Sequence, residues 1–251
     1  MTRVRIAVVD SLIDRLTWPE AEESIAAWAA RREPRVVCIC NVHSVVTARS
    51  DAALQKAINE ADLATPDGMP VAWMLRHLSG ADQARINGPD LTLRLCALAE
   101  HEGHVVAFYG STPHTLELLR AALAREFPRL HIGAMISPPF RALTPEEDAE
   151  FVAQINASGA ALVFVGLGCP KQEVWMAAHR EQVQGVQLGV GAAFDYIAGT
   201  VKRPPRWMQE HGLEWLGRLV AEPRRLWRRY LKTNFLFILY ACNQLRRGRP
   251  R

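Results

Sequence analysis

Short apolar runs alternate with longer amphipathic segments along the first 200 residues of the chain. Apolar runs that indicate strands lie at residues 4–9, 35–40, 61–65, 104–110, 130–136, 161–168 and 185–191. Helical spacing of apolar residues occurs between them, at 20–32, 50–61, 89–103, 111–128, 144–158 and 170–183. Strands that alternate with helices are typical of a mostly parallel sheet covered by helices on both faces. The sequence therefore predicts an α/β fold of this kind.

Basic residues are concentrated at the C-terminal end of the chain. From Lys202 to Arg251 there are 13 Lys and Arg but 3 Asp and Glu, so the rest of the chain holds 17 of the 30 basic and 23 of the 26 acidic residues. Pro204 and Pro205 stop any helix where this segment begins. We therefore expect a core, residues 1–200, and a basic helical appendage, residues 201–251. Such an appendage predicts a polyanionic partner, namely phosphates, an anionic membrane or a nucleic acid.

The basic segment contains one apolar run, FLFILYAC at residues 235–242. The run is too short to span a bilayer, but a basic helix with an apolar face suits an anionic membrane surface. On this interpretation, both Phe235 and Phe237 contact lipid. The alternative is that residues 235–242 pack on the core and the charges are solvated. Nucleic-acid binding is a further alternative with less support, because no recognised motif accompanies the charge.

Several protein classes are disfavoured by what the sequence lacks. Arg3, Arg5 and Asp10 interrupt the apolar core that a signal peptide would need. The five cysteines are scattered and form no C-x-x-C pair, which favours reduced thiols and gives no zinc spacing. No run of about 18 uncharged apolar residues is present to span a membrane. These features predict a cytoplasmic protein without a metal site.

Polar or glycine residues follow the predicted strands at their carboxyl ends. They are Asn41, Asp67, Gly110, residues 166–168 and residues 189–191. Ligands of open α/β sheets bind outside the carboxyl ends of the strands, so we expect these residues to converge on one edge. An Asp-Gly pair such as Asp67-Gly68 is on its own also typical of a simple turn. Its place after a strand favours a carboxylate that faces a ligand.

A glycine-rich stretch, GLGCPKQE at residues 166–173, connects a predicted strand to a predicted helix. Glycines let the backbone approach a phosphate, and the first turn of the following helix offers free N–H groups. Lys171 and Gln172 stand in that first turn and could add side-chain donors. The alternative is a plain strand-to-helix turn. The stretch matches neither the P-loop nor the G-x-G-x-x-G pattern, which argues against a dinucleotide-dependent dehydrogenase.

These motifs, taken in order, resemble those of one family, the bacterial WecG/TagA/CpsF glycosyltransferases (glycosyltransferase family 26). The similarity extends over nearly the whole chain. The matching segments are Asn41, ADLATPDGMPV (61–71), RINGPDL (85–91), FYGSTP (108–113), VFVGLGCPKQEVW (163–175), GVGAAFDYIAG (189–199), KRPPRW (202–207) and HGLEWLGRLVAEPRRLWRRY (211–230).

The resemblance implies a Rossmann-like α/β core with a C-terminal appendage that contacts the membrane. Members of the family transfer a sugar from a UDP-sugar to a lipid-diphosphate-linked saccharide, with inversion at the anomeric carbon and without a bound metal or cofactor. The donor implied here carries a sugar of N-acetylmannosamine type or glucose type, and the acceptor is a polyprenyl-diphosphate-linked saccharide. The enzyme is then expected in the cytoplasm, on the inner face of the plasma membrane. A homo-oligomer is compatible with the sequence.

The family's functional residues carry over to matching positions of this sequence. The carboxylate that matches Asp67 is the general base. Donor binding is implied for Asn41, Arg85, Gly166, Gly168, Lys171, Gln172, Gly191 and Asp195. Binding of the acceptor diphosphate is implied for Arg218, Arg225 and Arg228. The sequence departs from the family at Ile39, where a threonine is common, and at Pro138-Pro139-Phe140, which replaces Gly-Tyr-Phe. These departures bear on which sugar the donor carries.

The chemistry of such a transfer agrees with the residue types. One base must take the proton of the acceptor hydroxyl, and UDP departs easily once cations match its charge. Two other functions stay open at this point. The chain could be a non-catalytic UDP-sugar-binding assembly protein of the same fold, or a basic nucleic-acid-binding α/β protein.

Overall fold

The computed structural model describes residues 3–247, except for the side chain of Arg225. Its strands are β1 Arg5–Val8, β2 Ser11–Asp14, β3 Arg35–Cys40, β4 Leu63–Pro66, β5 Val105–Gly110, β6 His131–Ile136, β7 Leu162–Gly166 and β8 Val186–Gly189. Its helices are α1 Trp18–Ala30, α2 Val42–Ala48, α3 Ala52–Glu60, α4 Met69–Ser79, α5 Gly88–Glu102, α6 Pro113–Glu126, α7 Pro145–Ala157, α8 Lys171–Ala178, α9 Ala193–Ala198, α10 Arg206–Glu210, α11 Glu214–Ala221 and α12 Pro223–Arg246.

The main sheet has six strands in the order β4-β3-β8-β7-β5-β6. The pairs β3–β8, β8–β7, β7–β5 and β5–β6 are all parallel. Consecutive strands are separated by helices, which cover the sheet. The predicted α/β class with a parallel sheet and a C-terminal helical segment is confirmed.

The first predicted strand belongs elsewhere, which corrects the sequence interpretation. Strand β1 pairs antiparallel with β2 in a separate two-stranded sheet, with Arg5 opposite Asp14 and Val8 opposite Ser11. The turn between them places Val9 and Asp10 at φ 50° and 69°. Positive φ at both central residues is the geometry that hairpins prefer, usually with Asn or Gly. Because a β-branched residue such as Val9 is rare in such a turn, the pair Val9-Asp10 did not signal a hairpin and β2 was not predicted.

The chain divides into two compact units. The first is formed within Met1–Trp18, Ile39–Asn87 and Lys202–Arg251, and the second by Pro19–Cys38 and Gly88–Val201. The functional division into a core, 1–200, and an appendage, 201–251, stays a prediction. Within residues 3–247, we find no helix with both the length and the apolar character needed to cross a membrane.

The first unit is held together by polar side chains that join distant segments. Asp14 is buried and accepts two hydrogen bonds from Arg3 and one from the N–H of Ala64, at 2.6, 2.8 and 2.7 Å. Gln244 of α12 accepts a hydrogen bond from the N–H of Val9 at 3.0 Å and donates one to the carbonyl of Ala7 at 2.7 Å. These bonds fasten the β1–β2 hairpin to β4 and to the last helix.

The second unit has an aromatic core on its central strands. Phe108 of β5 stacks on Phe164 of β7 with ring centroids 5.1 Å apart and meets Phe194 of α9 edge-on at 5.5 Å. All three side chains are buried. Burial of aromatic rings of this size contributes much of the stability of a small sheet. The packing fixes the carboxyl ends of β5 and β7, where the glycine-rich stretch begins.

Candidate active site

Asp67 directly follows β4 and is held there by the backbone. Its N–H donates to the carbonyl of Cys40, the last residue of β3, at 2.8 Å. Gly68 then takes φ +82°, which permits the sharp turn into α4. Asp67 therefore presents its carboxylate at a strand end, as the sequence predicts. This backbone geometry agrees both with a simple Asp-Gly turn and with a carboxylate that faces a ligand.

Asn41 stands beside Asp67 at the start of α2, a helix that the sequence analysis missed. Its Oδ1 accepts the N–H of Ser44 at 3.2 Å, while the hydroxyl of Ser44 accepts the N–H of Asn41 at 2.8 Å. This reciprocal capping fixes the side chain of Asn41. A hydrogen bond from Asn41 to Asp67 lowers the pKa of that carboxyl.

Arg85 connects Asp67 to a residue that sequence analysis did not single out, Glu214. The Nε atom of Arg85 lies 3.8 Å from Oδ1 of Asp67, and its Nη1 lies 2.5 Å from Oε2 of Glu214. The Arg85 side chain is 9% exposed, so this guanidinium is well shielded from water. Glu214 begins α11. Its signal in the sequence is slight: it is one of three acidic residues in the strongly basic C-terminal segment.

The environment of Asp67 raises the pKa of its carboxyl from 3.8 to about 6. Burial is the main cause, since a carboxylate with a side chain only 22% exposed loses much of its hydration. Glu214 raises the pKa further, whereas Arg85 and hydrogen bonds from Gly68 and Asn41 lower it. A carboxylate with a pKa near neutrality is suited to proton transfer, and such groups concentrate at functional sites.

In the second unit, the glycine-rich stretch lies between β7 and α8, and its two glycines, Gly166 and Gly168, are required for different reasons. A Cβ on Gly166 would lie 2.7 Å from the ring of Phe194, so the aromatic core excludes a side chain there. A Cβ on Gly168 would meet nothing within 4 Å, but its φ of +79° disfavours other residues. The open space beside Gly168 leaves room for a ligand, while the N–H and the carbonyl of this residue are both bonded to Gln172.

Gln172 of α8 joins this stretch to the segment after β8. Its Oε1 accepts the N–H of Gly168 and the N–H of Gly191, each at 3.1 Å. Its Nε2 donates to the carbonyl of Gly189 at 3.0 Å and to Oε1 of Glu173 at 2.8 Å. Gln172 is buried, and both of its amide hydrogens are used within the protein. The geometry therefore gives it a role in shaping the two glycine turns.

Glu173 is the buried neighbour of Gln172. Its Oε2 has no hydrogen-bond partner within the described residues, and burial raises the pKa of the carboxyl. Hydrogen bonds from Gln172, from its own backbone and from Cys169 act in the opposite direction. Sequence analysis did not select this residue, although it directly follows Gln172 in the quoted stretch.

The remaining donor-site candidates of this unit lie at helix starts. Lys171 is exposed in the first turn of α8, where a cation can reach an anion bound at the helix N-terminus. Asp195 is in the first turn of α9, and the Thr200 hydroxyl donates to its carbonyl at 3.2 Å and to its Oδ1 at 3.4 Å. Gly191 is bound to Gln172 as described.

The three arginines predicted to bind the acceptor diphosphate, Arg218, Arg225 and Arg228, differ in their surroundings. Arg218 of α11 is partly buried, with its Nη2 3.9 Å from Oε2 of Glu222. Arg228 of α12 is exposed and lies over the ring of Trp227, 5.2 Å from its centroid. The side chain of Arg225 lies outside the part of the chain that the structure describes. Nothing in the structure tests their predicted contact with a diphosphate, so that role stays a prediction.

Helix α12 has two apolar faces, which divides the predicted lipid-binding run. Phe237 is 6% exposed and, like Leu226 and Ala241, is buried against the protein, whereas Phe235 is 66% exposed. The prediction that both phenylalanines contact lipid is therefore wrong for Phe237. The outer face repeats at helical spacing and consists of Trp227, Leu231, Phe235, Ile238, Cys242 and Leu245.

Comparison with known protein families identifies one family over nearly the whole chain. The profile of the family described as glycosyl transferase WecG/TagA/CpsF matches residues 6–251. This range includes Asp67, Arg85 and Glu214 in the first unit and Gln172 with its hydrogen-bond partners in the second. It also includes the whole basic C-terminal segment. The chain therefore belongs to the WecG/TagA/CpsF family and is a glycosyltransferase of cell-surface polysaccharide synthesis.

Proposed function

We propose that the protein transfers a sugar from a UDP-sugar to a polyprenyl-diphosphate-linked saccharide, with inversion and with Asp67 as the general base. The observation that carries this proposal is the carboxyl of Asp67, which follows β4 beside Arg85 and has a pKa of about 6. In the reaction, the acceptor oxygen bonds to the anomeric carbon as the bond from that carbon to the UDP oxygen breaks. Asp67 takes the acceptor proton, and the bonding electron pair leaves with UDP.

The donor diphosphate is assigned to the glycine-rich stretch of the second unit. Open space lies beside Gly168, α8 begins three residues later, and the exposed Lys171 adds a positive charge. These features together favour a bound anion. Gly191 and Asp195 are proposed to contact the nucleotide. Gln172 is proposed to act mainly by holding the two turns in place, because its amide is fully hydrogen-bonded within the protein.

Cationic side chains are proposed to do the work that a metal does in other glycosyltransferases. Lys171 would offset charge on the departing UDP, and Arg218, Arg225 and Arg228 would bind the diphosphate of the acceptor. On this proposal the reaction is metal-independent. A chelator such as EDTA should therefore leave the initial rate of transfer unchanged.

Helix α12 is proposed to place the enzyme on an anionic membrane surface, where a lipid-linked acceptor would be found. Its outer face exposes Trp227, Leu231, Phe235 and Ile238 within one stripe. The exposed Arg224, Arg228 and Lys232 lie on the same helix. Aromatic and aliphatic side chains beside basic ones are the combination that binds anionic lipid interfaces. This supports a peripheral position on the inner face of the plasma membrane.

The decisive experiment is a transfer assay with the purified full-length protein, a panel of radiolabelled UDP-sugars and a water-soluble short-chain diphosphate-linked saccharide. We expect product with at least one donor and a loss of about 10²-fold or more in Asp67→Asn, the scale of a lost general base. Asp82→Asn is the matched control, because Asp82 is 90% exposed and lies away from the strand end. Normal turnover by Asp67→Asn would exclude this carboxylate as the base.

The same assay separates the two alternative functions. Binding of UDP-sugars without any product would identify a non-catalytic assembly protein. A salt-dependent mobility shift with nucleic acid, in the absence of UDP-sugar binding, would identify a nucleic-acid-binding protein.

A further inference from the structure

We infer that Glu214 is a positioning residue for the transfer reaction, holding the Arg85 guanidinium at a set distance from Asp67 so that this carboxylate remains an effective base. The inference rests on the proposed function, because it concerns the base of that reaction. Glu214 is distant in sequence from both partners and starts a helix of the basic C-terminal segment.

The geometry shows which carboxylate holds the arginine. Nη1 of Arg85 lies 2.5 Å from Oε2 of Glu214, a charge-assisted hydrogen bond. The closest approach of Arg85 to Asp67 is 3.8 Å, from Nε to Oδ1, which is too long for such a bond. Because a guanidinium is planar and rigid, fixing one end fixes the other. Glu214 thus keeps Arg85 near Asp67 without letting the two form a tight pair.

The charges around Asp67 act in opposite directions. Among the described residues, Arg85 and Glu214 are the charged groups that act on this carboxyl; the other polar contacts are hydrogen bonds from Gly68 and Asn41. Arg85 favours the ionised form and Glu214 opposes it. Removing the charge of Glu214 ends that opposition and frees Arg85 to bond directly to Asp67. Both changes lower the pKa of Asp67.

A lower pKa makes Asp67 a weaker base in the transfer step. The carboxylate accepts the acceptor proton while the bond between acceptor oxygen and anomeric carbon forms, and UDP leaves with its electron pair. A base held tightly by Arg85 has less tendency to accept that proton. Loss of Glu214 should therefore reduce kcat more than it raises KM for the donor. It should also move the acidic limb of the pH–rate profile to lower pH.

The test is a titration of Asp67 by ¹³C NMR of its carboxyl carbon in the labelled full-length protein, with the signal assigned by its absence in Asp67→Asn. In Glu214→Gln we expect the pKa of Asp67 to fall by about one unit, with a parallel shift of the acidic limb of kcat. Glu210→Gln makes the same charge change on α10, where Glu210 pairs with Arg206 at the exposed surface. It should leave both the pKa of Asp67 and the acidic limb of kcat unchanged. Glu214→Asp, which retracts the charge by one methylene, should give a smaller fall.

The outcomes separate this inference from the proposed function. If Asp67 titrates at the same pH in Glu214→Gln and in the wild type, Glu214 does not set its basicity and the inference is wrong. Should Glu214→Gln fail to fold, the titration of Glu214→Asp decides in the same way, a lower pKa supporting the inference and an unchanged one overturning it. If the wild type transfers no sugar, the proposed function fails, while the NMR titration still decides whether Glu214 tunes Asp67.

Discussion

Arg85 and Glu214 form an ion pair of 2.5 Å although 129 positions separate them in the sequence. Through this pair, a residue of the basic C-terminal segment determines the surroundings of Asp67. An ion pair that is mostly shielded from water depends on both partners, since removal of either leaves a buried charge without compensation. The C-terminal segment therefore contributes to the electrostatics around Asp67 as well as to the positive charge of the protein.

Replacement of Asp67 by Asn should stabilise the protein at alkaline pH. Because the pKa of Asp67 is raised from 3.8 to about 6, the folded state resists ionisation, so the free energy of unfolding falls as the pH rises from about 4 to about 6 and stays lower above that range. Below about pH 4 the group is protonated in both folded and unfolded states, so it has no such effect. We expect Asp67→Asn to gain about 1 to 3 kcal/mol at pH 8 and little at pH 4. Urea unfolding at the two pH values measures this; an equal effect at both would contradict the raised pKa.

Gln172→Glu should destabilise the second unit more than Gln172→Ala at neutral pH. The glutamate would place an acceptor oxygen where Nε2 now donates to Glu173 at 2.8 Å and to the Gly189 carbonyl at 3.0 Å. We expect about 2 to 4 kcal/mol for the alanine variant, from lost buried hydrogen bonds. The additional loss in Gln172→Glu should shrink as the pH is lowered and the carboxyls protonate. Thermal melts from pH 5 to 8 test this, and a pH-independent difference would argue against the described network.

Lys171→Ala should weaken UDP binding without changing the melting temperature. Lys171 is exposed in the first turn of α8, so its loss removes a charge but little packing. We expect the Kd for UDP, measured by calorimetry, to rise about tenfold. This difference between variant and wild type should become smaller at high salt, which screens the charge. Lys202→Ala, outside the glycine-rich stretch, is the control. Unchanged affinity would mean that the stretch is a plain turn.

The two phenylalanines of α12 should respond in opposite ways. Phe235→Ala should reduce binding to anionic phosphatidylglycerol vesicles by about tenfold, because an exposed aromatic ring no longer enters the interface. It should leave the free energy of unfolding near wild type. Phe237→Ala should instead lower that free energy by about 3 to 5 kcal/mol, since the ring is buried. Vesicle sedimentation measures the first effect and urea unfolding the second. If the two variants behave identically in both measurements, α12 does not have one buried and one exposed apolar face.

Arg228→Gln should impair use of the acceptor and spare use of the donor. Its guanidinium is exposed over Trp227 and is free to reach an anion. With a water-soluble acceptor and no vesicles, we expect KM for the acceptor to rise about tenfold or more, at unchanged KM for the donor. Arg224→Gln, an exposed arginine on the same helix, is the matched control. Equal effects of the two substitutions would indicate general charge attraction only.

The main sheet was predictable because all its strands except the edge strand β6 are largely buried and therefore mainly apolar. Residues 35–40 coincide with β3, and the predictions for β5, β6 and β7 differ from the structure by at most two residues at either end. Buried parallel strands give this signal without any long-range information. The second predicted feature, a carboxylate at the end of β4, follows from the same rule, since Asp67 is the first charged residue after the strand.

The elements that were missed depend on local geometry or on distant partners. Helix α2 is short, and its start is marked by Asn41, which also ends a strand. Strand β2 follows a turn without glycine or asparagine. Glu214 could not be chosen because its importance arises from Arg85, far away in the sequence. The amphipathic pattern of α12 was visible, but which of its two apolar faces is exposed depends on the surface it packs against.

The bonds from Gln244 to Val9 and Ala7 have a consequence for the order in which the protein is made. The ribosome synthesises the β1–β2 hairpin long before α12, so the hairpin waits for its partner while the residues between them are made. Residues of the second unit end at Val201, and that unit can complete its folding on the nascent chain. The first unit closes only after the C-terminal residues have left the ribosome. Until then Arg85 has no Glu214, so the environment of Asp67 is completed only when α11 joins the first unit.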